Sequence, residues 1–227
     1  MTWFISALTS GIGRKVIMSL TGLFLILFLI VHLVGNLQLL YSDNGESFNV
    51  YSHFMARNPL IQIISKGNFF FILLHAFVSM TLALKNKKAR PIGYKVSGGS
   101  ANSSWASRSM VLLGTLIFVF LVLHLYGFWY HLKFGEVPAI MIDGVEMHNA
   151  YLWVSSAYAN PLVSAFYIIA MIVLGFHLWH GFSSAFQSLG LNHVKYTGCI
   201  KVVGKLYAVI IPALYAIIPI LLYLKSL

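Results

Sequence analysis

The sequence predicts an all-α integral membrane protein of five transmembrane helices, the first four forming a bundle and the fifth packed outside it. Three observations carry this prediction. Hydrophobic residues make up 59% of the 227-residue chain and charged residues only 9%, and mean hydropathy is +0.83, far from the balance of a soluble domain. Apolar segments of about 20 residues or more, enough to cross a bilayer as helices, run over 16–40, 61–84, 109–132, 162–187 and 203–224. Intramembrane histidines occur in the first four segments and not in the fifth, which assigns the fifth to the outside of the bundle.

Taken in order, the elements form one membrane domain over 1–227. The first span is too long, and its Arg14-Lys15 pair lies too far in, for a cleaved signal peptide. A cytoplasmic N-terminus puts Arg14, Lys15, Lys85, Lys87, Lys88, Arg90, Lys95, Arg108, Lys195, Lys201 and Lys205 on the cytoplasmic side. The positive-inside rule selects that orientation. All five acids, Asp43, Glu46, Glu136, Asp143 and Glu146, then fall outside with the C-terminus. The net charge of +10 is thereby assigned to topology and to lipid headgroups beside the spans, and not to nucleic acid. Ser97-Gly98-Gly99-Ser100 reads as a flexible loop. The single cysteine, Cys199, permits neither an internal disulfide nor a cysteine-ligated iron–sulfur cluster.

Two stretches repeat each other around a histidine. Gly22 stands ten residues before His32-Leu33-Val34-Gly35, and Gly114 ten before His124-Leu125-Tyr126-Gly127. A second pair matches as well: Asn58-Pro59-Leu60 precedes His75, and Asn160-Pro161-Leu162 precedes His177, with sixteen residues from proline to histidine in both. Depth sorts the four. His32 lies seventeen residues beyond Lys15 and His124 sixteen beyond Arg108, roughly 25 Å from the cytoplasmic edge at 1.5 Å per residue. His75 lies ten residues before Lys85, roughly 15 Å from that edge, and the matched proline count puts His177 level with it. The expectation is an outer pair, His32 with His124, above an inner pair, His75 with His177.

A polar ring in hydrocarbon costs free energy unless it is paired, so intramembrane histidines mark functional sites. Haem suits this pattern, because neutral imidazoles bind the iron axially from two helices. Two haems b are expected, with Gly22, Gly35, Gly114, Gly127 and Gly181 as the small residues that let a flat macrocycle approach the backbone. Two histidines fill both axial positions of an iron, which suits electron transfer and not oxygen chemistry. His180 lies nearly one turn from His177, and the proline count selects His177 as the ligand. His53, His131, His148 and His193 fall in loops or at span ends and are read as solvated or interfacial.

At these residues the chain resembles the single-chain cytochrome b subunit that anchors bacterial succinate:quinone oxidoreductases (complex II, succinate dehydrogenase or fumarate reductase), of the five-helix type with two haems b. The resemblance covers nearly the whole chain. Its marks are the four histidines, the text His32-Leu33-Val34-Gly35-Asn36-Leu37, and His177-Leu178-Trp179-His180-Gly181 running into Ser184-Ala185-Phe186-Gln187-Ser188-Leu189-Gly190. In the family a glycine follows the fourth-helix ligand by four residues, which here is Gly181 after His177.

The resemblance implies a bacterial cytoplasmic membrane, a flavoprotein subunit that interconverts succinate and fumarate, and an iron–sulfur subunit that carries electrons to the inner haem. From there they pass to the outer haem and to a quinone, menaquinone being the usual one for two-haem members. It also implies a carboxylate near the outer haem that takes part in proton exchange, with Asp43 and Glu46 as the candidates. Some fumarate-reducing relatives carry a glutamate two residues before the fourth-helix ligand, and here that position is Gly175. Arg14, Lys15, Arg57 and Lys195 are candidates to balance haem propionates.

Three other readings compete. A cytochrome b subunit of a hydrogenase or formate dehydrogenase also pairs histidines across helices, but its ligand arrangement is not seen here. A membrane di-iron oxygenase or desaturase needs several His-x-x-His-type boxes, and the chain has one. A histidine-relay transporter can carry internal repeats, yet four buried histidines without a buried acid fit haem better.

Overall fold

A computed structural model describes residues 2–89 and 99–227. Arg90, Lys95, Ser97 and Gly98 lie outside the described residues. The chain is an all-α, multi-pass integral membrane protein with five helices long and apolar enough to cross a bilayer: Gly11–Leu40, Pro59–Ala89, Met110–Phe134, Pro161–Ser188 and Thr197–Lys225. Their outer faces carry large apolar side chains in the open, such as Leu27 at 64% exposure, Phe77 at 68% and Leu162 at 79%. Surface of that kind is stable against lipid and not against water.

In chain order, α1 (Thr2–Thr9) and α2 (Gly11–Leu37) meet at Ser10, whose hydroxyl accepts from Gly13 N and caps α2. α3 (Glu46–Arg57) lies between the first two spans and α4 (Pro59–Ala89) is the second. Asn58 caps α4, its carboxamide oxygen accepting from Leu60 and Ile61 N. The repeat explains the same device at the fourth span, where the Asn160 side chain accepts from Leu162 N ahead of Pro161. Short helices α5 (Gly99–Asn102) and α6 (Trp105–Arg108) lead into α7 (Met110–His124), which continues as a π-helix over Leu125–Tyr130 and ends in α8 (His131–Phe134).

A β-hairpin, β1 (Ala139–Ile142) and β2 (Val145–His148), follows, turning at Asp143-Gly144 with positive φ at both as a two-residue turn of that hand requires. α9 (Ala150–Tyr158), α10 (Pro161–Ser188) and α11 (Thr197–Lys225) complete the chain. The expected span limits therefore extend by several residues in places, and the connections hold more structure than their composition suggests.

The spanning helices touch in sequence around a ring: α2 with α4, α4 with α7, α7 with α10, and α10 with α2. α11 lies against α10 and α2. Close approach is possible there because a Cβ on Gly175 would stand 3.1 Å from Ala208 O, and one on Gly204 would fall 2.7 Å from the Phe182 ring. Ala208 O is the carbonyl whose helical donor would be residue 212, and Pro212 has no N–H to give it. Tyr207 and Tyr215 then donate to Ile26 O at 2.6 Å and Leu29 O at 2.7 Å, fastening α11 to α2.

At the end away from Lys15, α3 and α9 are tied through Asn49, which is 0% exposed. It donates to Asn149 Oδ1 at 3.2 Å and accepts from Tyr151 N at 2.8 Å. Gly45, at φ 85°, carries the Tyr151 ring where a Cβ would have to be, so only glycine serves at the start of α3.

Candidate functional site

Between the helices lies a partly open cavity of about 2030 Å³ that all four span histidines line. A pocket for one small molecule holds roughly 300–1,000 Å³, so the space exceeds the need of one ligand.

His32 on α2 faces His124 on α7, ring centroids 5.9 Å apart and planes at 84°. His75 on α4 faces His177 on α10 at 6.4 Å and 72°. The two pairs sit at different levels. Thr21 of α2 touches His75 and His32 is eleven residues farther along the same helix, a rise of about 16 Å. Tyr167 of α10 touches His124 and His177 is ten residues farther along, about 15 Å. His180 lines the same cavity but is paired with no histidine ring.

Each ring has a distinct support. Phe28 stacks on His32 at 5.3 Å and 15°, and Phe120 stacks on His124 at 5.6 Å and 24°. Both phenylalanines stand four residues before their histidine, one helical turn. The sequence repeat already contained this matched Phe, and it is the signal by which the two supports could have been found. Tyr167 Oη lies 3.2 Å from His124 Nδ1, and the Tyr215 ring lies 5.9 Å from that of His32. His75 Nδ1 lies 3.1 Å from the Thr21 hydroxyl. His177 Nδ1 is buried with no hydrogen-bond partner, as is Asn68 Oδ1 on α4, and both residues line the cavity. Buried polar atoms are normally satisfied, and among the described residues these two are the exceptions.

The predicted glycines divide. A Cβ on Gly22 would meet His75 Cε1 at 3.3 Å, and one on Gly114 would meet His177 Cε1 at 4.0 Å. These two set how near the second histidine pair comes to α2 and α7. Gly181 lines the cavity and has nothing within 4 Å of its added Cβ. Gly35 also lines it, but the Tyr51 ring covers the spot a side chain would fill. Gly127 lies in the π-helix, where its carbonyl accepts from Trp153 Nε1 at 3.0 Å.

Among the acids, Asp43 binds its own backbone, Oδ1 accepting from Gly45 N at 3.0 Å and Oδ2 from Ser47 N at 2.9 Å. Hydrogen bonds from Ser47, side chain first and backbone second, hold the Asp43 carboxyl below the usual carboxylate range. Glu46 is exposed in the first turn of α3. Neither is among the residues lining the cavity, whereas Glu146 of β2 is. Of the basic residues considered for anionic groups, Lys15 and Arg57 line the cavity. Gly175 packs on α11 and is not among the residues lining the cavity. Among the described residues no three His, Cys, Asp or Glu side chains come together as a metal-ion cluster.

Comparison of the chain with protein-family models, with curated proteins and with solved structures finds no match.

Proposed function

We propose that this protein is the dihaem cytochrome b anchor of a succinate dehydrogenase or fumarate reductase complex, passing electrons between an iron–sulfur subunit and a membrane quinone. The observation that carries the reading is the pair of pairs: four span histidines that face each other ring to ring, two at each of two levels, around one cavity.

The donor set fits haem. A metal–imidazole bond is about 2 Å, and centroid separations of 5.9 and 6.4 Å would leave room for one iron between the two imidazoles of each pair. A bare zinc or similar ion asks for three or four protein ligands, and the pairs offer two each. A porphyrin supplies the remaining four nitrogens itself. Haem b held by these histidines would supply one-electron transfer.

His32 and His124 would hold the outer haem, His75 and His177 the inner one. Gly22 and Gly114 keep side chains away from the inner pair, and Phe28 and Phe120 keep the outer imidazoles upright. Lys15 and Arg57 stand at opposite ends of the cavity, where each would balance propionates. The orientation follows from the basic residues, with Lys15, Arg108 and Lys195 cytoplasmic. The quinone, menaquinone by resemblance, exchanges protons as well as electrons, and Glu146 is the carboxylate on the cavity wall suited to that exchange.

The test is haem per polypeptide, by pyridine haemochrome assay with a reduced-minus-oxidised spectrum, on the detergent-purified chain with its copurifying subunits. Two haems b per chain together with flavin and iron–sulfur partners is the expected result. A chain purified intact without haem would sink the reading.

A further inference from the structure

The two matched pairs conceal an inequality between the imidazoles of the inner one. Thr21 Oγ1 lies 2.9 Å from Ile17 O, 3.0 Å from Met18 O and 3.1 Å from His75 Nδ1. A hydroxyl has one proton to give and two lone pairs with which to accept. In a helix interior the threonine proton goes back to the carbonyl one turn earlier. Oγ1 is then an acceptor only, and His75 must donate to it. Its proton is thereby placed on Nδ1, and Nε2 is left as a bare lone pair. At 3% exposure, Thr21 cannot trade these partners for bulk water.

The repeat shows what happens without this hydroxyl. Thr21-Gly22 on α2 corresponds to Leu113-Gly114 on α7. The glycine is kept, and each faces one histidine of the inner pair, Gly22 facing His75 and Gly114 facing His177. The hydroxyl is not kept: Leu113, 2% exposed, stands where a threonine would, and His177 Nδ1 is the buried nitrogen with no partner.

We propose that Thr21 is a positioning residue of the inner site that presets His75 as the Nδ1–H tautomer and strengthens its Nε2 as a ligand, and that Leu113 withholds the same support from His177. The inference rests on the haem reading above. An acceptor behind a ligating imidazole fixes its tautomer and raises its basicity, which favours the oxidised iron and lowers its potential. Without the Thr21 hydroxyl, the inner haem becomes easier to reduce. A hydroxyl added at position 113 acts in the opposite sense through the other ligand.

The experiment is a redox titration of both haems, with low-temperature EPR of the oxidised state, on the purified complex carrying T21V, T21S or L113T. T21V is expected to move the inner haem's reduction equilibrium about tenfold toward the reduced form, about 59 mV for one electron. Its low-spin EPR signal shifts with it, and the outer haem stays where it was. T21S, which keeps the hydroxyl, returns both values to those of the wild type, and L113T moves the inner potential the other way. Loss of the inner haem in T21V with recovery in T21S supports the same inference. Unchanged potentials in both T21V and L113T, or a T21V change that T21S does not reverse, overturn it while leaving two haems per chain. A haem-free wild type would remove the premise instead.

Discussion

His75 and His177 stand ring to ring at 6.4 Å, the first on α4 and the second on α10, helices that run from the same end of the molecule and are each preceded by an Asn-Pro start sixteen residues away. His180, one turn farther along α10, meets no second histidine. Replacing either His75 or His177 by alanine is therefore expected to remove one and the same haem. His32→Ala and His124→Ala are expected to remove the other, and His180→Ala to keep both. Haem content and the split of the α-band in each variant check this. Loss of a haem in His180→Ala with both retained in His177→Ala would reverse the ligand assignment.

Quinone turnover offers a second check. Glu146, itself exposed, lines the cavity, whereas Asp43 is committed to backbone amides and Glu46 does not line the cavity. Glu146→Gln is expected to slow quinone turnover by tenfold or more with haem content unchanged, the scale of lost general acid–base catalysis. Glu46→Gln is expected to leave turnover near that of the wild type. Steady-state assays with a soluble menaquinone analogue measure both.

Asp43 supplies a pH dependence of known sign. Its carboxyl is held lower in the folded chain than the ordinary value, so its contribution is present above the unfolded value of about 3.9 and is lost as pH falls through the lower folded value. Protection of the α3 amides, as exchange relative to the unfolded chain, should hold from neutral pH down to about pH 4 and fall below it. Asp43→Ala should show the lower protection above about pH 4 and converge with the wild type below it, where the carboxylate is protonated in both states.

The α10–α11 contact is expected to be intolerant of bulk. A Cβ on Gly175 already falls 3.1 Å from a backbone carbonyl, which cannot swing aside as a side chain could. Gly175→Leu should lower stability in detergent by about 1–3 kcal/mol, the usual cost of overpacking. A thermal melt followed by loss of haem absorbance reads it. A melting temperature equal to that of the wild type would mean that α11 yields freely.

The repeated text was legible because histidine, glycine, proline and asparagine are expensive or conformationally special in apolar helices, so their matched spacing carried information that the surrounding Leu, Ile, Val and Phe did not. That text placed five spans, two histidine levels and the glycines at 22 and 114 before any contact was known. The connections at the end away from Lys15 were not legible. α3, the hairpin and α9 are short and marginal alone, and contacts between distant residues hold them, Asn49 with Asn149 and Gly45 beneath Tyr151.

By itself, then, the sequence determined which residues must be shielded from lipid and at what depth, because burial cost and helical rise are local properties of the chain. Only the tertiary structure decided what stands behind each ring. Thr21 and Leu113 look equally unremarkable in apolar text. Packing α2 beside α4 and α7 beside α10 puts a hydroxyl behind His75 and none behind His177, and a hydrogen bond is decided over a few tenths of an ångström that sequence spacing does not resolve.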